Sequence, residues 1–244
     1  MSIRCAKCPL RARKAFKSLS DEDLAFMERF KTGELHVEAG TPVVIEGSKS
    51  PHFHTVLSGA ALRTKLLADG RRQVVNFVFP GDLVGLQSSL LTEMAHGVEA
   101  VTDMRLCVFS RERLWELFRS SPARAYDLIW LAATEERSLG EMLLSAGRRD
   151  ARERVAALLL YLGRRAEESA FSDTRLETPF PFRQQDLADA AGLSLVHTNK
   201  MLQSLRAARL IRIADGTMTI LDETRLKEAA MTDEEPGGQG RPLL

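Results

Sequence analysis

Hydrophobic positions change their spacing along the chain, and these changes predict its elements. Apolar residues recur at helical spacing over residues 24–30, directly after Ser20, whose side chain can cap a helix. Over residues 33–110 the pattern becomes short β-rich runs separated by glycine, and Asp69-Gly70 gives a hairpin signal. Strands with this spacing and no helices between them favour an antiparallel roll or jelly roll over a parallel sheet.

A long helix is predicted after Pro122, because no further proline interrupts the chain until Pro179. Six of its positions follow the alternating three- and four-residue spacing of a two-stranded coiled coil. These positions, called the seam below, are Ile129, Ala132, Glu136, Leu139, Leu143 and Ala146. The spacing favours a homodimer, and a single amphipathic helix packed on its own domain is the alternative.

Glu136 is the one charged residue of the seam. Two such carboxylates facing each other across a dimer would repel, which predicts an interface poised for switching. In the alternative interpretation, Glu136 leans into solvent or pairs with Arg137 of the partner subunit.

Residues 184–206 hold the most specific pattern of the chain, two short helices joined at Gly192. Gly192 permits a left-handed turn between the helices, and Ser194 can cap the second helix. Leu202 and Leu205 then face inward. Five side chains are left to point outward: Val196, His197, Asn199, Lys200 and Gln203.

These outward side chains suit the major groove of double-stranded DNA. Asparagine can pair with adenine, lysine with guanine or phosphate, and valine can contact a thymine methyl. Arg183 and Ser194 complete the predicted set of DNA-binding residues. Downstream, two short apolar runs flank Asp215-Gly216, which predicts the hairpin wing of a winged helix-turn-helix.

These elements predict an α+β fold in five parts. The parts are a cysteine-bearing arm (residues 1–19), a β-roll sensor domain (20–121), a dimerisation helix (122–148), a winged helix-turn-helix domain (149–230) and a disordered tail (231–244).

Composition and charge narrow the class of protein further. Hydrophobic residues make up 44% of the chain, and no window approaches the roughly 18 apolar residues of a membrane span. The basic start of the chain lacks the apolar stretch of a secretory signal, so a cytoplasmic protein without membrane association is expected. The net charge is only +1, but arginines concentrate between residues 148 and 212. No Gly-rich phosphate loop, nucleophile elbow or HExxH motif is present, which argues against an enzyme.

Three motifs resemble the CRP/FNR superfamily of bacterial regulators. They are Pro80-Gly-Asp-Leu-Val-Gly85, Ala151-Arg-Glu-Arg-Val-Ala-Ala157 and Gly192-Leu-Ser-Leu-Val-His-Thr-Asn-Lys-Met-Leu202. The resemblance covers residues 5–225 and implies a roll like a cyclic-nucleotide-binding domain, a homodimer and an inverted-repeat operator. It also implies activation by contact with RNA polymerase. Val196 and Lys200 replace a glutamate and an arginine that often read the half-site in this family, so a TTGA-type half-site is not implied.

Cyclic AMP is not expected as the effector. Family members that bind it carry a Gly-Glu pair followed by an arginine that holds the cyclic phosphate, and residues 95–100 contain no arginine. A cyclic-nucleotide-binding module without DNA activity is the alternative from another class of protein, but it would not need the helix-turn-helix.

Cys5, Cys8 and Cys107 resemble three of the four cysteines that hold an oxygen-labile [4Fe-4S] cluster in the FNR branch. The remaining cysteine would fall near Lys14 and is absent. Asp21, Asp23 and His36 are conceivable substitutes. Three interpretations stay open: a cluster with a substitute ligand, a thiol or disulfide switch through Cys5 and Cys8, and no redox role, with regulation by a small ligand or by no effector.

Overall fold

The fold combines a β-roll, a long helix and a helical domain with its own small sheet. The computed structural model describes residues 3–233 and 240–244. The helices are α1 (Asp21–Phe30), α2 (Leu86–Leu91), α3 (Leu114–Ser120), α4 (Pro122–Arg148), α5 (Ala151–Glu168), α6 (Gln184–Ala191), α7 (Leu195–Ala207) and α8 (Glu223–Ala229). Short 3-10 turns lie at Cys5–Lys7, Pro9–Ala12 and Arg111–Arg113.

Two four-stranded antiparallel sheets form the predicted roll, in the orders β1-β8-β3-β6 and β2-β7-β4-β5. The strands are β1 (Lys31–Val37), β2 (Pro42–Val44), β3 (His52–Ser58), β4 (Ala61–Leu66), β5 (Arg72–Val78), β6 (Leu83–Val84), β7 (Gly97–Ala100) and β8 (Met104–Ser110). Aliphatic side chains such as Val56, Val98 and Leu106 are buried between the sheets. The α+β fold class with an antiparallel roll is confirmed.

Helix α1 begins as predicted, but the element that follows it differs. Ser20 Oγ accepts a hydrogen bond from the Asp23 backbone N–H at 3.1 Å, which caps the helix. The helix ends at Phe30 because the chain turns at once into β1, which pairs with β8. The sequence does not single out β1 as a strand, since Gly33 and Glu34 interrupt its apolar alternation.

Helix α4 spans Pro122–Arg148 and runs from the roll to the helical domain. Among the described residues, no helix is both long and apolar enough to cross a membrane. Helix α5 starts at Ala151, two residues after the predicted start of the winged helix-turn-helix domain at residue 149, because Asp150 caps it. The Asp150 carboxylate accepts from the backbone N–H groups of Arg152 and Glu153, at 2.8 and 2.9 Å.

The helical domain packs directly on the roll. Its three-stranded sheet, β10-β11-β9, consists of β9 (Glu177–Pro179), β10 (Ile211–Ala214) and β11 (Thr217–Ile220). The Phe182 ring, just before α6, contacts Phe77 edge-on at 4.8 Å between ring centroids and Phe79 at 6.0 Å. Both domains therefore contribute to one apolar cluster, which fixes the orientation of the helical domain on β4 and β5.

The prediction of a disordered tail over residues 231–244 is wrong for its last part. Residues 234–239 lie outside the described residues. Residues 240–244 return to the roll, where Arg241, Leu243 and Leu244 are buried. The charged and glycine-rich stretch before them predicts disorder, but it also conceals an Arg-Pro-Leu-Leu sequence that can bury apolar surface.

Candidate functional site

Helices α6 and α7 form the predicted helix-turn-helix. Gly192 joins them in the left-handed conformation, with φ of +64°. Ser194 Oγ accepts a hydrogen bond from the His197 backbone N–H at 3.2 Å and so caps α7. Leu202 and Leu205 are fully buried, which fixes the opposite face of α7 toward solvent.

Four of the five side chains predicted to point outward do so. Val196 is 81% exposed, and His197, Lys200 and Gln203 are also exposed. Asn199 is half-buried, and its Oδ1 is shielded without a hydrogen-bond partner among the described residues. Asn199 therefore lies at the margin of the exposed face, not at its centre.

Arg183 precedes α6 and is exposed, but its guanidinium is already engaged. Its Nη2 lies 3.2 Å from Asp186 Oδ1. Asp186 is buried and also accepts a hydrogen bond at 2.7 Å from Arg72, at the start of β5. Arg72 Nε donates to Asp189 at 2.7 Å as well, so this arginine of the roll contacts two carboxylates of the first helix of the helix-turn-helix.

The predicted wing is the hairpin of β10 and β11. Asp215 and Gly216 both have positive φ, 51° and 69°, as a two-residue type I′ turn requires. Strand β9 extends this hairpin to three strands and pairs Thr178 with Met218. The sequence does not distinguish a strand from a loop at β9, because Glu177-Thr-Pro179 has no apolar alternation.

The seam predicted on α4 is open to solvent on the single chain. All six of its residues are exposed; Ile129 is 58% and Leu143 is 75% exposed. Tyr126 is exposed by 65% and continues the row by one further spacing of three residues toward the start of α4. Sequence reasoning missed Tyr126, although the periodicity could have found it. A row of exposed apolar side chains along one helix marks a surface for association.

A polar network that the sequence does not predict joins the roll to α4 and α5. Tyr161 Oη donates to Asn76 Oδ1 at 2.5 Å, and Asn76 Nδ2 donates to Glu135 Oε1 at 2.7 Å. Arg63 pairs with Glu135 and donates to the Leu83 carbonyl oxygen at 3.1 Å. Glu135 directly precedes the seam residue Glu136, so this network connects the roll to the predicted dimer face.

The three cysteines converge, although they are distant in sequence. Cys5 and Cys8 lie in and beside the first 3-10 turn, Cys107 lies in β8, and all three line one small cavity with Lys31. Burial raises the pKa of Cys5 to about 11 and that of Cys107 to about 12, and the nearby Lys31 ammonium only partly opposes these shifts. Both thiols are therefore protonated at neutral pH in this arrangement.

None of the three suggested substitute ligands lines the cysteine cavity. Asp23 accepts hydrogen bonds from Ser20 and Ser121, and His36 is exposed on β1. The carboxylates that contact this part of the arm include Glu28 and Glu34. Glu28 Oε2 accepts from the Cys5 backbone N–H, and Glu34 Oε1 accepts from the Ile3 backbone N–H, both at 2.6 Å.

The cysteine group in this arrangement does not fit a [4Fe-4S] cluster, which needs four ligands. Among residues 3–233 and 240–244, no three His, Cys, Asp or Glu side chains are placed to hold one metal ion. Leu243 and Leu244 line the cavity, and the space beside them is only about 30 Å³.

Two parts of the chain match known domain families. Residues 34–121 match the cyclic nucleotide-binding domain, and residues 153–229 match the Crp-like helix-turn-helix domain. A sensor roll joined by a long helix to a winged helix-turn-helix defines the class of DNA-binding transcription regulators.

Similar proteins narrow this class. The chain is 30% identical over 237 residues to the transcriptional activator protein FnrL of Cereibacter sphaeroides, which spans 96% of this chain and 94% of that protein. It is 29% identical over 226 residues to the nitrogen fixation regulation protein FixK of Bradyrhizobium diazoefficiens, spanning 93% of each. The solved structure of FixK2 from Bradyrhizobium japonicum has a TM-score of 0.73 at 26% identity, covering 82% of this chain and 98% of that one.

The chain belongs to the CRP/FNR family of transcription regulators, in its FNR/FixK branch. The predictions of the family and of a DNA-binding regulator are thereby confirmed. The comparisons do not indicate cyclic AMP as an effector.

Proposed function

We propose that this protein is a cytoplasmic transcription activator that binds an inverted-repeat operator as a homodimer and contacts RNA polymerase. The observation that supports this most directly is the exposed row on α7, from Val196 to Gln203, beside the β10–β11 wing. In a winged helix-turn-helix the second helix enters the major groove, and its exposed side chains reach base edges.

The seam on α4 supplies the two-fold axis of the proposed complex. Two copies associated through this face present two α7 helices, and each reads one half of an inverted repeat. Exposed apolar residues along α4 are the support for this dimer, since they would otherwise remain in water.

The proposed contacts divide into two kinds. Lys200, Gln203, His197 and Val196 contact base edges, and Asn199 completes this row only if its half-buried side chain turns outward. Ser194, at the start of α7, and Arg183 contact phosphates. For Arg183 this contact competes with Asp186, because the same guanidinium serves both.

The cysteine group is the proposed sensory site, and oxygen or redox state is the proposed signal. Three thiols line one cavity with a lysine ammonium, and once exposed as thiolates they would react with oxidants and bind soft metal ions. We assign no iron-sulfur cluster to this arrangement. Anaerobic purification tests this part: an iron-free protein whose DNA binding responds to thiol oxidation supports it, and about four irons and four sulfides per chain would contradict it.

The DNA-binding proposal is tested by selection of binding sites from random duplexes, followed by footprinting. We expect a two-fold symmetric site with half-site centres about 10 base pairs apart. Transcription in vitro from a promoter carrying that site then tests activation. An asymmetric site, or selection that enriches no sequence, would contradict the proposal.

A further inference from the structure

Residues 240–244 lie on the roll beside the amino-terminal arm, and Arg241 shares Asp82 with Arg165 of α5. The backbone of Arg241 bonds to the arm through both of its polar groups. The Arg241 N–H donates to the Ala15 carbonyl oxygen at 2.7 Å, and the Lys17 N–H donates to the Arg241 carbonyl oxygen at 2.8 Å. The segment is therefore paired with the amino-terminal arm as part of the folded structure.

Leu243 and Leu244 insert into the apolar cluster that contains the cysteines. They are only 4% and 7% exposed and pack with Leu10, Met27 and Cys107. Both leucines also line the cavity shared by the three thiols. They cover this cavity on one side.

Arg241 anchors the segment through charge. Its guanidinium is buried and pairs with Asp82, which Arg165 of α5 also contacts. Burial lowers the pKa of Arg241 from its ordinary value, and only Asp82 and more distant carboxylates oppose this. A buried guanidinium is stable only while its carboxylate partner is in place, so this anchor depends on Asp82.

We propose that residues 241–244, called the plug below, form a releasable seal over the cysteine cavity. The space beside the thiols, about 30 Å³, has room for little more than one water molecule. A metal ion with its ligands, or any adduct on Cys107, therefore fits only after Leu243 and Leu244 leave. Binding at the thiols and docking of the plug exclude each other. The plug extends the sensory role proposed for the cysteines. Only the link between plug release and a signal rests on that proposed function.

The seal is tested by the rate at which N-ethylmaleimide labels Cys107, measured by mass spectrometry of peptides. Leu243→Asp, or deletion of residues 241–244, should speed labelling of Cys107 at least tenfold, because the thiol becomes accessible to reagent. Leu90→Asp is the matched control, since Leu90 is 60% exposed on α2 and should leave the rate unchanged. Equal Cys107 rates with and without the plug would overturn the proposal.

Mutual exclusion is tested on the unaltered chain, so that a failure of variants to fold does not decide the outcome. The hydrogen-exchange rates of backbone amides are compared before and after Cys107 is labelled to completion. Circular dichroism without denaturant checks that the labelled protein is still folded. The Arg241 and Lys17 amides should lose their protection after labelling, whereas amides in α7 should not. Protection that persists on fully labelled protein would contradict the inference.

These outcomes are separate from those for the proposed function. If DNA binding does not respond to oxygen, or if no operator is selected, the labelling and hydrogen-exchange experiments still test the plug. Conversely, iron analysis and selection of binding sites give no information about residues 241–244.

Discussion

Arg165 and Asp82 form a buried ion pair between the helical domain and the roll. Arg165 Nη2 donates to both carboxylate oxygens of Asp82, at 2.8 and 2.9 Å. Burial alone would raise the pKa of Asp82, but the guanidiniums of Arg165 and Arg241 outweigh burial and lower it. Asp82 is the third residue of the Pro80–Gly85 motif, so that motif places a buried carboxylate that two arginines share.

Replacing Asp82 by alanine should destabilise the fold strongly. The change leaves two buried guanidiniums without their common partner, and breaking a buried pair in this way costs about 3 to 5 kcal/mol. The measurement is the free energy of unfolding from urea denaturation. Asp69→Ala is the control, since it removes an exposed carboxylate paired with Arg71 and should leave the midpoint unchanged. Equal midpoints for the two variants would show that the shared carboxylate contributes nothing.

Lys200→Ala should weaken operator binding by roughly 5- to 150-fold, the range for loss of one base contact of about 1 to 3 kcal/mol. If Lys200 instead contacts a phosphate, affinity falls for all sequences alike and the salt slope decreases by about 1. Titrations at three salt concentrations, with cognate and scrambled duplexes, distinguish these cases. Thr224→Ala, on the exposed side of α8, is the control. Unchanged affinity at every salt concentration would remove α7 from the interface.

Leu143→Glu should convert the dimer into a monomer at micromolar concentration. Leu143 is 75% exposed on the single chain, so the fold of the chain itself loses little, whereas a dimer would bury two added carboxylates. Sedimentation velocity measures the result, with Leu90→Glu as an exposed leucine outside the seam. A Leu143→Glu protein that sediments as the unaltered chain does would place the interface elsewhere.

Glu136→Leu tests whether the two Glu136 carboxylates of a dimer face each other across the seam. If the two carboxylates face each other, their removal should tighten the dimer, because like charges in a partly buried interface repel. The dissociation constant from sedimentation equilibrium is the measurement. No change would mean that Glu136 leans into solvent or pairs with Arg137 of the partner subunit.

Stability should fall as the pH decreases from about 6.5 to about 4, in part through His54. Burial, together with the neighbouring His52, lowers the pKa of His54 to about 4, whereas in the unfolded chain it is near 6.5. The unfolded chain therefore takes up the proton first, and the stability present above pH 6.5 is lost through this window, on the order of 3 kcal/mol.

Urea midpoints between pH 4 and pH 8 measure this effect. His54→Gln should flatten the curve, although His96, whose pKa burial lowers to about 3, retains a similar contribution. His36→Gln is the control because His36 is exposed. A curve for His54→Gln that is as steep as the original would exclude His54 as a source.

Local signals predicted the helix-turn-helix and the wing well. Gly192, Ser194 and Asp215-Gly216 each require a particular backbone conformation, and the structure has that conformation at each position. Strand β1 was harder to predict, because its pairing with β8 is a contact between distant parts of the chain.

The links between the domains could not be read from spacing. Arg72 with Asp186, and Tyr161 with Asn76, join residues more than eighty positions apart, and no periodicity reports such pairs. The sequence predicts the cysteines as candidate site residues. It does not predict that they line one cavity with Leu243 and Leu244, because that depends on the fold. Composition even predicted the opposite for residues 240–244, since it averages two leucines with their polar neighbours.

The position of Leu243 and Leu244 also sets an order of events during protein synthesis. Their partners Leu10, Met27 and Cys107 leave the ribosome more than a hundred residues earlier, a delay on the order of ten seconds at bacterial elongation rates. The amino-terminal domain can fold in that interval, but its last apolar layer is still missing. The nascent chain therefore leaves its three thiols without the plug throughout the time in which the DNA-binding domain is made.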